Sequence, residues 1–285
     1  VQVASTTLDR VTTIDIGQAA LLGVVEGLTE FLPVSSTGHL KIVERLLGID
    51  VADDSVVGFT AVIQMGAIGA VLVYFARDIV RLATAWLRGL GNRERRTEPD
   101  YRFAWWIVLA TIPVVVVGLL AKPLIDGPLA SLWVVGGSLV AGSAFMWIAD
   151  RIGSHKRAES AITLMDSLVV GAAQILALLF PGFSRSGATI STGLIRGLDR
   201  VAATRLSFFL SIPALTGAGL YELKDALGGG IGVAPLLAGT VVSFVVAYAS
   251  IAWLLRYVSR HSFDLFVYYR LGVAVLLVSL LLSGG

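Results

Sequence analysis

Two carboxylates, a run of hydroxyls and a histidine fall within one apolar stretch of this chain: Glu26-Gly-Leu-Thr-Glu30-Phe-Leu-Pro33-Val-Ser35-Ser36-Thr37-Gly38-His39. Ala19–Val25 precedes it and Leu40–Val43 follows it. Ionisable groups in such surroundings are costly and mark functional sites by default. Glu26 and Glu30 are four residues apart and share one face of a helix. Two hard carboxylates at that spacing suit a divalent cation, magnesium or calcium, that also takes phosphate oxygens. The alternative is a pair that binds protons or distant arginines. Ser35, Ser36 and Thr37 are good helix N-caps, and the free amides of a helix N-terminus form an anion site. His39 can act as a general acid or base, or as a hydrogen-bonded structural residue.

A second turn of related pattern lies at Gly171-Ala-Ala-Gln174 and Pro181-Gly-Phe-Ser184-Arg185-Ser186-Gly187-Ala-Thr189. It is basic where the first is acidic, and an arginine fork can hold a phosphate through two bonds. Together the two turns predict one site that binds a metal and an anion. Gln64 is a lone polar residue in an apolar run, either helix-to-helix glue or a contact to the ligand.

The elements that must position these groups are membrane helices. Of 285 residues 56% are hydrophobic and only 15% are charged, against roughly 25% charged in soluble domains. Cysteine is absent, which excludes disulfides, thiolate catalysis and Cys-ligated zinc. The net charge of +2 is no argument for nucleic acid. Val1–Thr13 is polar and lacks a basic segment leading into an apolar core, so insertion is expected to rest on internal segments.

Six stretches have the apolar length for a span, near 55–76, 102–121, 131–149, 202–222, 232–256 and 264–283. Residues 14–47 and 161–198 are each interrupted by a Pro/Gly/Ser cluster and read as re-entrant helical hairpins. The expected fold is an all-α integral membrane protein of six transmembrane helices and two re-entrant hairpins, arranged as an inverted-topology repeat. Residues 1–13 form an extension, 14–150 the first repeat and 151–285 the second. Aligning Pro33 with Pro181 pairs Gly23 with Gly171 and Glu26 with Gln174, and one inserted residue then pairs Gly38 with Gly187.

Between residues 77 and 102 stand seven arginines against Asp78, Glu94, Glu98 and Asp100, so this loop is expected in the cytoplasm. Both termini then lie outside. Residues 78–90 predict a short interfacial helix. Tyr101, Trp105, Trp106, Tyr268 and Tyr269 are expected as interface anchors.

The glutamate motif, the Pro33–His39 motif and Pro181–Thr189, with Ile63-Gln64-Met-Gly66, resemble the signatures of bacterial undecaprenyl-diphosphatase, the bacitracin-resistance protein family. The similarity runs from about Asp15 to the end of the chain. It implies hydrolysis of undecaprenyl diphosphate to the monophosphate carrier lipid and phosphate, for reuse in cell-wall synthesis, with a divalent cation. Glu26 and Glu30 then fall in the acidic catalytic motif and Ser35, Ser36, Thr37, Gly38 and His39 in the adjoining one. Ser184, Arg185, Ser186, Gly187 and Thr189 fall in the phosphate-binding motif. The nucleophile is Ser36 assisted by His39, or a water activated by His39 or a glutamate. Expected partners are the polyprenyl diphosphate and membrane lipids, with room for a homo-oligomer. The expected location is the bacterial inner membrane, with the active site on its outer side. A secondary transporter or lipid flippase using the same carboxylates is the competing reading. It moves its substrate unchanged, where a phosphatase releases phosphate.

Overall fold

A computed structural model describes residues 14–51, 53–125, 127–226 and 231–283. The expected N-terminal extension lies outside this range. The described residues form helices and no β-strand. Six helices are long and apolar enough to cross a membrane. They are α3 (Asp54–Tyr74), α5 (Pro99–Ile125), α6 (Leu132–Ile152), α10 (Arg200–Ala226), α11 (Val233–Val258) and α12 (Asp264–Leu282). The remaining helices are α1 (Ile16–Thr29), α2 (Ser36–Leu46), α4 (Ala76–Gly91), α7 (Leu164–Ala172), α8 (Gln174–Leu179) and α9 (Arg185–Ile195).

Local chemistry sets the ends of the two interrupted segments. Asp15 and Gln18 form a capping box that starts α1, and Thr163 and Asp166 form one that starts α7. Each satisfies two amides that a helix start leaves unpaired. Pro33 and Pro181 fall in the turns that follow. The second helices restart at serines with positive φ, Ser35 at 79° and Ser184 at 74°. Each hydroxyl accepts a bond from the amide three residues on. The descending limb of the second pair breaks at Ala173 into α7 and α8, a division the sequence pattern does not announce.

Both first limbs press against a spanning helix. A Cβ on Gly23 would lie 2.4 Å from the carbonyl oxygen of Gly239 in α11, and one on Gly171 2.2 Å from that of Ala110 in α5. Only glycine permits either approach. Aromatic rings pack beside the first turn. Phe31 is fully buried and meets Phe208 edge-on at 5.3 Å, and Phe75 meets both Phe208 and Phe209. This anchors Phe31, the residue next to Glu30, against α10.

Ion pairs tie the arginine-rich side together. Buried Asp166 accepts from Arg157 and Arg196. Asp150 accepts from Arg200, and Arg205 bonds both Glu159 and Asp78. The last contact docks α4 on the bundle. α4 buries Leu82, Ala85 and Gly89 and exposes Val80, Leu87 and Leu90, a two-sided pattern suited to an interfacial helix. Tyr101 departs from its expected role as an anchor. It is buried, with its ring against Gly89 so closely that no Cβ would fit there.

Candidate active site

The two turns meet. Arg185, the first residue of α9, donates from Nη2 to Glu30 Oε1 at 3.1 Å. The other oxygen of that carboxylate, Oε2, accepts from Ser36 Oγ at 2.6 Å. Glu30 thus holds the basic turn with one oxygen and the Ser36 hydroxyl with the other, although 155 residues separate it from Arg185. Ser186 Oγ closes a third contact by donating to Leu32 O at 3.0 Å.

Glu30, Ser36 and Arg185 form the floor of a cavity of roughly 460 Å³. Glu30, Ser35, Ser36, Thr37, Gln64, Ser184 and Arg185 all border it, and so does Gln174. Its walls are apolar, from Val114, Val115 and Leu119 of α5, Leu178 of α8 and Leu215 of α10. It reaches Lys122, Ile125 and Tyr221, at the ends of α5 and α10 away from the arginine-rich loop. A polar floor beneath apolar walls fits an amphiphile with an anionic head.

Other expected residues lie behind this floor. Glu26 is buried at 1% exposure, one helical turn from Glu30, and its Oε1 has no hydrogen-bond partner. Gln174 Oε1 and Arg185 Nη1 are buried and unpaired as well. Buried orphans of this kind call for an ion, a water or a ligand. Glu26 and Glu30 offer the oxygen donors that magnesium or calcium prefers, so the donor set fits such a cation.

The amides of Gly38 and Gly187, expected as free anion donors, are taken by the cap hydroxyls of Ser35 and Ser184. The first-turn amides of Ser36 and Thr37, and of Arg185 and Ser186, lack intrahelical acceptors by the geometry of a helix start. Thr189 bonds Ser207 on α10 at 2.6 Å, so it joins helices and does not reach the cavity. His39 does not border the cavity either. Its Nδ1 lies 2.7 Å from Ser35 O and its Nε2 2.8 Å from Tyr269 Oη.

Sequence reasoning missed Arg270. This guanidinium is fully buried in α12 and donates to Pro33 O, Gly182 O, Phe183 O, Leu139 O and Ser143 Oγ. It therefore holds carbonyls of both turns. The signal was available, because an arginine inside an apolar span is the same anomaly that singled out Glu26.

A family model described as bacitracin resistance protein BacA matches residues 19–276. The chain is 72% identical over 271 residues to undecaprenyl-diphosphatase 1 of Frankia alni, covering 95% of this chain and 98% of that protein. It is 70% identical to undecaprenyl-diphosphatase 1 of Streptomyces coelicolor over the same shares. With undecaprenyl-diphosphatase of Cutibacterium acnes it shares 52% identity, covering 93% of this chain and 96% of that protein.

Proposed function

The chain belongs to the bacitracin resistance protein BacA family, and from that membership we propose how its site hydrolyses undecaprenyl diphosphate. It is a multi-pass membrane phosphatase. The 2.6 Å contact between Ser36 Oγ and Glu30 Oε2, on the floor of an apolar-walled cavity, carries the mechanistic reading. Ser36 attacks the terminal phosphorus as Glu30 takes its proton. The anhydride bond breaks, undecaprenyl phosphate leaves and a phosphoserine remains. A water, deprotonated by a carboxylate of the site, then releases phosphate and restores the Ser36 hydroxyl. Arg185, with its unpaired Nη1, and the first-turn amides of α2 and α9 neutralise charge on the transferring group.

Glu26 and Glu30 are the residues that would hold a divalent cation; Gln174, whose Oε1 is buried and unpaired, also borders the cavity. When bound, such a cation supplies positive charge to the diphosphate oxygens. The test is phosphate release from undecaprenyl diphosphate with and without EDTA. EDTA is expected to stop release. Glu26→Gln is expected to raise the magnesium concentration for half-maximal rate by at least about tenfold. An unchanged magnesium requirement in this variant would remove Glu26 from the cation site.

The helical pairs 14–47 and 161–198 act as re-entrant hairpins in this reading. α1 is 14 residues and α2 is 11, about 21 and 16 Å long, against roughly 30 Å of hydrocarbon. The division into repeats 14–150 and 151–285 is supported by matched features: the Ser35 and Ser184 caps, and the Gly23 and Gly171 contacts with α11 and α5. In this reading the repeats are inverted, the positive charge of the arginine loop keeps it in the cytoplasm, and the cavity mouth lies outside the inner membrane. Because the chain has no cysteine, single-cysteine variants test this. In intact cells, Ile125→Cys is expected to react with a membrane-impermeant maleimide and Arg93→Cys to remain unlabelled. The reverse pattern would invert the topology.

A further inference from the structure

The backbone of both turns is held in a costly conformation. Ser35 and Ser184 are non-glycine residues at φ 79° and 74°, a region that persists only where the surroundings over-determine it. Two adjacent residues of α12 supply the restraint on the first turn. Arg270 Nη1 donates to Pro33 O at 3.1 Å, while its Nη2 donates to Gly182 O at 3.1 Å and Phe183 O at 2.9 Å in the second turn. Tyr269 acts through His39. The His39 backbone amide donates to Ser35 O at 3.2 Å, and its ring Nδ1 reaches the same oxygen at 2.7 Å.

Those partners assign the tautomer. A carbonyl oxygen only accepts, so Nδ1 carries the proton, and Nε2 accepts from the Tyr269 hydroxyl at 2.8 Å. The two rings stack with centroids 5.5 Å apart and planes 7° apart. Both ring nitrogens are therefore engaged away from the cavity. The hydroxyl of Ser36 is bonded instead to Glu30.

We propose that Tyr269, His39 and Arg270 form a brace that presets the Ser35 and Ser184 turns, with His39 a positioning residue that aims Ser36 and not a base. The proposal rests on the reading of Ser36 as the nucleophile. His39 fixes the carbonyl of Ser35, the residue whose left-handed backbone sets the direction of the first turn of α2. Arg270 fixes the separation of this turn from the one that carries Arg185. Tyr269, expected from the sequence as an interface anchor, keeps the imidazole from rotating off Ser35.

The test uses the purified full chain, with thermal unfolding to establish that each variant is folded. Asparagine at position 39 keeps an N–H near the place of Nδ1 but has no basic nitrogen. His39→Asn is expected to keep kcat within about tenfold of wild type, the scale of one weakened hydrogen bond. The limbs of its kcat/KM pH profile stay in place. His39→Ala is expected to lose about a hundredfold in kcat, with KM changed far less. Tyr269→Phe is expected to fall about threefold to tenfold.

Glycine adopts the Ser35 backbone angle without strain, so Ser35→Gly makes the restraint partly dispensable. The double variant Ser35→Gly/His39→Ala is expected to recover about tenfold over His39→Ala alone. Lysine has no planar fork to span two turns, so Arg270→Lys is expected to lower kcat about a hundredfold. The brace is overturned if His39→Asn is as inactive as His39→Ala or loses a limb of the pH profile, or if Ser35→Gly restores nothing to His39→Ala. Either result with His39→Asn would make the imidazole a base. A Ser36→Ala control separates the two readings. If it keeps turnover, the nucleophile assignment fails, whereas rescue by Ser35→Gly still reports on the turn.

Discussion

Ser36→Ala is expected to remain folded and to lose phosphate release by about a thousandfold or more, the scale of removing a nucleophile. Ser36 is only partly buried, and alanine deletes one oxygen without adding volume. The helix keeps its start, because Ser35, not Ser36, is the cap. The loss is therefore chemical. Glu30 Oε2 gives up its donor at 2.6 Å but keeps Arg185 on Oε1, so the pairing of the two turns survives. Substrate affinity is expected to change little, since Arg185, Ser184 and Gln64 still border the cavity. The check is acid quenching after mixing with substrate labelled in its terminal phosphate. Label should remain on the wild-type protein and be absent from Ser36→Ala. Turnover within tenfold of wild type would shift the chemistry to a water activated by Glu30.

The six spans were legible because composition and length alone bound a membrane helix, and each helix falls within a few residues of its expected place. The acidic and arginine turns were legible for a related reason: charge in an apolar setting needs a purpose. What remained hidden depended on tertiary partners. Arg270 reaches Pro33 across 237 residues, and no spacing rule connects them. Its neighbours Tyr268 and Tyr269 resembled interface anchors, which disguised the anomaly. Ser186 stood in the candidate anion turn and Thr189 in the motif that the resemblance implies for phosphate, yet their hydroxyls bond Leu32 O and Ser207 Oγ. The orientation of His39 was equally invisible. Its i−4 contact to Ser35 is local, but the Tyr269 bond that fixes the ring is not.

Arg185→Lys is expected to lower kcat/KM by about a hundredfold to a thousandfold, although it preserves the charge. Arg185 has two tasks at once. Nη2 is spent on Glu30 at 3.1 Å, while Nη1 is buried without a partner beside the cavity that Arg185 borders. A guanidinium can bond the carboxylate and a phosphate oxygen in one plane, whereas an ammonium is a single point of charge. Lysine satisfies Glu30 or the phosphate, and either choice removes an interaction made to the transferring group, a loss typical of one such donor. Arg185→Met separates this effect from stability. It leaves a buried carboxylate without its counter-charge, at a cost of about 3 kcal/mol or more, so its unfolding temperature should drop while that of the lysine variant stays near wild type. Equal catalytic efficiency in wild type and Arg185→Lys would mean that charge alone suffices, and the phosphate would then have to be held by the helix-start amides of Ser36, Thr37 and Ser186.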